Sequence, residues 1–182
     1  MKRDDVNITH IFIRYLILVI LGLLFPLLYA VFLPLTLYPV YFILSLFYSV
    51  KLFANNTLFV EGTFITLISA CIAASAYYLL LILNFSTPIN IKKRAKSIAF
   101  LIVSFLVLNV IRIVAFSVLA VNSFSYFDIA HKAVWYIGAT LLVVILWFVN
   151  IYLFNINNTP VYSDILQIYR LAKGKRKISN KR

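Results

Sequence analysis

Apolar residues in this chain gather into runs of about 20, separated by short polar stretches, and do not alternate with polar ones. A helix of that length, rising about 1.5 Å per residue, spans the hydrocarbon core of a bilayer. Lipid offers no partners to backbone N–H and C=O groups, so such runs fold as helices. Strands of a membrane barrel would alternate apolar and polar residues instead. The pattern predicts five spans, at residues 11–33, 37–53, 64–83, 98–121 and 133–154. Pro34 and Thr36 separate the first two. The polar patch Asn55-Asn56-Thr57, with Glu61-Gly62 beyond it, separates the second and third. Residues 84–96 read as a loop, and residues 122–132 as a short polar connection. The expected fold class is all-α: a polytopic helical membrane bundle over residues 1–155, followed by a polar, basic tail over 156–182. The length leaves no room for a second domain, and no internal repeat is visible. The first span resembles the apolar region of a signal peptide, but its length and the preceding Asp4-Asp5 argue that it is retained.

Composition agrees with the pattern. Of 182 residues, 64% are apolar or aromatic and 12% are charged, against about 25% charged in ordinary soluble domains. The net charge is +12, and its placement sets an orientation. Lys92, Lys93, Arg94 and Lys96 cluster in the 84–96 loop, and Arg170, Lys173, Lys175, Arg176, Lys177, Lys181 and Arg182 crowd the tail. Both regions are expected on the cytoplasmic side. Five spans put them there together, with the N-terminus and residues 54–63 and 122–132 outside. Asp4, Asp5, Glu61 and Asp128 then also fall outside. Lys2-Arg3 sit poorly in that scheme; a re-entrant hairpin of the first two spans would make the N-terminus cytoplasmic and leave the rest unchanged. Beside a membrane span, the basic tail reads as an anchor on anionic lipid rather than a nucleic-acid arm.

Candidate chemistry is sparse. Cys71 is the single cysteine, and His10 and His131 are the two histidines. They make no disulfide, no CxxC metal pattern and no zinc set. The four glycines form no phosphate loop or nucleophile elbow, and neither a metal nor an organic cofactor is expected. Arg112 is the most informative residue, because an arginine deep in a span is costly and marks function by default. Asn109 lies one turn earlier on the same face. The bland reading of the two is an interhelical hydrogen-bond pair that holds the bundle together. Cys71 alone reads as a small packing residue, and His131 alone as a solvated flank, with Trp135 and Tyr136 as interfacial anchors. Depth links them. Counted from the outer ends of their spans, Cys71 lies about 10–13 Å deep and Arg112 about 13 Å deep, in antiparallel neighbours. His131 lies at the outer entry to the fifth span. All three point to one external pocket.

That trio suits acyl transfer. The thiolate is the nucleophilic form of cysteine, and a neighbouring cation stabilises it. Arginine can also bind the oxyanion of a tetrahedral intermediate, and histidine can protonate a leaving amine.

The order and context resemble the exosortase/archaeosortase family of membrane transpeptidases. The carrying segments are Ser69-Ala70-Cys71 at a helix beginning, Asn109-Val110-Ile111-Arg112-Ile113 in the next helix, and His131 before the last. The likeness covers about residues 58–155, and the short chain resembles the reduced, pacearchaeosortase-like members. The resemblance implies Cys71 as nucleophile, Arg112 as partner of the thiolate or oxyanion, and His131 as the third catalytic residue. It implies exported proteins with a C-terminal sorting signal as substrates, and a lipid or other acceptor for the cleaved chain. The family cysteine is commonly followed by a small hydroxyl residue and glycine; here Ile72 and Ala73 follow. Two other readings stand beside this one. A non-enzymatic transport or assembly module would use Arg112 and Asn109 for binding and Cys71 for packing. An intramembrane hydrolase would share the trio and cleave without transfer.

Overall fold

The computed structural model describes residues 8–156, 160, 162–166 and 169. The calls on Lys2 to Asp5 and on the basic residues from Arg170 onward lie outside them, as do the side chains of His10 and Trp135.

The fold is helical. The elements are α1 (Ile8–Leu23), α2 (Phe25–Ser45), β1 (Val50–Phe53), β2 (Thr57–Val60), β3 (Thr63–Thr66), α3 (Ser69–Ile72), α4 (Ala74–Phe85), α5 (Ile91–Val121), α6 (Phe127–Ala133), a π-helical turn (Val134–Gly138) and α7 (Ala139–Leu153). Among the described residues, three helices are long and apolar enough to cross a membrane: Phe25–Ser45, Ile91–Val121 and Phe127–Leu153. Two shorter apolar stretches, Ile11–Leu23 and Ser69–Phe85, accompany them.

The first two expected spans are divided differently. The break falls at Leu24, not at Pro34 and Thr36; α2 runs unbroken through Pro34 and Pro39. Pro26, in the first turn of α2, excludes the carbonyl four residues before it and so stops α1. Pro34 and Pro39 each remove one internal bond, a loss that helices in apolar bundles tolerate. The second expected span does not reach residue 53, because the chain leaves the helix after Ser45 and forms strand β1.

The polar patch and the beginning of the third expected span are a sheet. β1, β2 and β3 form an antiparallel meander in that order. Leu58 and Val60 point into the core, and the intervening residues are more open. Glu61 and Gly62 close the second hairpin with φ of 43° and 91°. Positive φ at both central positions matches the twist of the flanking strands, and glycine adopts it without steric cost. Helix therefore begins at Ser69, five residues after Phe64.

The basic cluster belongs to α5 rather than to a loop. Asn90 Oδ1 accepts the Lys93 N–H at 2.8 Å and caps the helix. Arg94 is buried. Its guanidinium donates to the carbonyls of Asn84 at 2.6 Å and Thr87 at 2.9 Å, at and just beyond the end of α4. Below it, Asn84 Nδ2 donates to Ser97 Oγ at 2.6 Å, and Ser97 donates to Asn150 Oδ1 at 2.7 Å. This buried chain ties α4, α5 and α7 together at one end of the bundle. At the same end Arg14 pairs with Asp164 at 2.6 Å, and both charges act on Arg94. The start of α1, the α4–α5 connection and residue 164 thus share one end. The sheet and α6 occupy the other. Between the ends, Tyr77 stacks on Phe32 at 3.6 Å and meets Phe105 edge-on at 4.7 Å, joining α2, α4 and α5.

Candidate functional site

Cys71 sits where a helix is interrupted. α3 spans only Ser69–Ile72, and Ala73 then takes the left-handed conformation, with φ 56° and ψ 40°, before α4 begins. A left-handed residue breaks the helical ladder, so carbonyls on its N-terminal side lose their partners four residues on. Two side chains of α5 meet one of them. Asn109 Nδ2 donates to the Cys71 carbonyl at 3.0 Å, and an Arg112 guanidinium nitrogen donates to it at 3.3 Å. The matched depth expected for Cys71 and Arg112 is realised as this contact. The bond goes to the cysteine's main chain, however, not to its sulfur. Asn109 is buried, while Cys71 and Arg112 are half-buried.

Both half-buried residues open on a cavity of about 550 Å³. β3 and its exit, residues 63–68, line one side; α5 contributes Arg112, Phe116 and Ser117; α6 contributes Phe127, His131 and Lys132. The walls are largely apolar, and their charged members are Arg112, Lys132 and, when protonated, His131. His131 is exposed. Its ring stacks on Phe127 at 5.4 Å and meets Phe116 edge-on at 5.3 Å. It lies in helix α6, not in an irregular connection. His131 shares the cavity with Cys71 and Arg112 but hydrogen-bonds to neither. Tyr136 is exposed at the same end of the bundle.

The arrangement provides a half-buried cysteine, a guanidinium held at its carbonyl and an imidazole lining the same cavity. The α3–α4 break and the β3 wall lie outside the sequence reading. The second had a signal, the alternation Thr57-Leu58-Phe59-Val60 followed by Glu61-Gly62. Among the described residues, no group of three or more His, Cys, Asp or Glu side chains is placed to hold a metal. No family model, curated protein or solved structure matches the chain.

Proposed function

We propose that this chain is a multi-pass protein of the cell membrane, and that it acts as a cysteine transpeptidase of the exosortase/archaeosortase type on the extracytoplasmic side. The carrying observation is the lining of one cavity by Cys71, Arg112 and His131. The Cys71 thiolate attacks the carbonyl carbon of a peptide bond in an exported protein's C-terminal sorting signal. Arg112 stabilises the thiolate and then the oxyanion. The C–N bond breaks, His131 gives its proton to the leaving amine, and a thioester remains. An acceptor nucleophile, from a lipid or another molecule, then attacks the thioester and frees the thiol.

The topology differs from five separate spans. α1 and α2 act as one bent crossing, because α1 starts beside the α4–α5 connection and α2 ends beside the sheet. With α4, α5 and the α6–α7 helix this makes four crossings. The start of α1 then shares the side of Lys92, Lys93 and Lys96, the side expected to be cytoplasmic.

A second reading has its own support, since Asn109 and Arg112 bond to the Cys71 main chain rather than its sulfur. In it the contact pins α3 to α5, and the chain is a non-enzymatic transport or assembly module. Thiol labelling separates the two. Membranes carrying the wild type, Arg112→Ala or His131→Ala are treated with an impermeant maleimide from about pH 6 to about pH 9. Under the transpeptidase reading, Cys71 labels from outside at neutral pH and Arg112→Ala slows it about tenfold or more. Labelling that needs alkaline pH and ignores Arg112 refutes that reading and favours the module.

A further inference from the structure

The sheet ends in an open edge at β3, and that edge borders the cavity. The pairing fixes which backbone groups face it. The Leu67 N–H donates to the Asn56 carbonyl at 3.0 Å, so those two residues are a bonded pair. Bonded and non-bonded pairs alternate along an antiparallel ladder. Phe64 and Thr66, opposite Phe59 and Thr57, therefore turn their N–H and C=O groups away from β2. Among the described residues, no backbone or side-chain group pairs with those outward N–H and C=O groups. An edge of this kind is a template for another strand. It is also continuous with the candidate site, since five residues beyond Thr66 the chain reaches Cys71. The cavity wall supplies a second selection. It carries Arg112 and Lys132 and no Asp or Glu, so it complements a negative charge.

We infer that the cavity takes an extended polypeptide segment bearing a carboxylate side chain, paired as a fourth strand on Phe64 and Thr66. The four residues of β3 extend about 13 Å, and an added strand lies about 4.8 Å away. Main-chain bonds to the edge supply affinity, and alternate side chains supply selectivity. One face of the added strand meets Arg112 and Lys132. An anionic lipid headgroup would satisfy the cations without using the edge, so the peptide is the occupant that accounts for both. The inference rests on the cavity being a substrate site, but it does not require a reactive Cys71.

The test uses the full chain in nanodiscs of phosphatidylcholine. The probe is a pool of peptides of about seven Thr and Val residues with one Asp at varied positions, alongside matched Asn peptides. Asp peptides are retained about tenfold better than their Asn counterparts. Thr66→Pro abolishes retention, because proline removes an outward donor without removing a ladder bond. Thr66→Val and Cys71→Ala keep it. N-methylating alternate peptide amides abolishes retention in one register only, a readout on the unaltered protein that does not depend on how Thr66→Pro folds. Absence of retention overturns the inference. So does retention insensitive to both Thr66→Pro and N-methylation, the outcome expected of a simple anion site. Retention by a chain whose Cys71 fails to label would sink the transpeptidase reading alone.

Discussion

Replacing Ala73 by glycine tests the local geometry on which the site depends. Ala73 holds φ 56° and ψ 40°, where the Cβ of an L-residue crowds the following carbonyl at a cost of about 1–2 kcal/mol. Glycine does not meet that cost, but it gives the unfolded chain more freedom, worth about 0.4–1 kcal/mol. The Ala73 methyl is also buried in the core, and losing it costs about 0.8 kcal/mol, so the three effects nearly cancel and the midpoint of thermal unfolding stays within about 2 °C of the wild type. Ala76→Gly, inside α4 and also buried, loses a methyl as well and adds the cost of glycine in a helix interior, about 1 kcal/mol relative to alanine, so its midpoint falls by several degrees. Both variants and the wild type are to be melted in the same detergent, followed by far-ultraviolet circular dichroism. If Ala73→Gly lowers the midpoint as Ala76→Gly does, Ala73 is helical and α3 and α4 are one helix. The Cys71 carbonyl would then be bonded within that helix, and its contacts to Asn109 and Arg112 would have no basis.

Ser97→Ala breaks both bonds of the Asn84–Ser97–Asn150 chain and orphans two fully buried amide groups. At about 1–3 kcal/mol for each unsatisfied group, thermal unfolding in detergent should move down by several degrees, while Lys96→Ala, exposed one residue earlier, leaves it unchanged. The bent crossing is checked by single cysteines in a Cys71→Ala background. Thr9→Cys and Ile91→Cys stay protected from an impermeant maleimide applied outside, and Ile129→Cys reacts; labelling of Thr9→Cys from outside restores five separate spans.

The helical class was legible because membrane helices are specified by long apolar runs, the strongest signal a sequence carries. The closeness of Cys71 and Arg112 was legible for a related reason: spans of near-constant length turn sequence offsets into depths. Boundaries were not. Pro34 attracted the break that belongs to Pro26, because the apolar run seemed unbroken around Pro26 and a polar threonine followed Pro34. The meander was hidden by its aromatic and β-branched residues. Val50 to Phe53 and Phe64 to Thr66 are as apolar as a span end, and only Glu61-Gly62 separated them as strands. Arg94 was counted with solvated lysines, yet it is buried and donates to carbonyls at and just beyond the end of α4. The break at Ala73 had no local signal, since alanine is the strongest helix former, and tertiary contacts decide its conformation.

The π-helical turn at Val134–Gly138 sets the phase of everything before it. Such a turn accommodates one more residue than an α-helical turn, so it offsets the faces on either side by about 100°, the rotation of one residue. Beyond it, Val143, Leu146, Trp147 and Asn150 face the core; before it, His131 and Lys132 face the cavity. Without the extra residue, a regular α-helix from Phe127 to Leu153 would turn His131 about 100° around the axis from where it stands. Insertion or loss of a single residue within the turn would act as a rotary switch, carrying the imidazole around the helix axis while leaving the packing of α7 untouched.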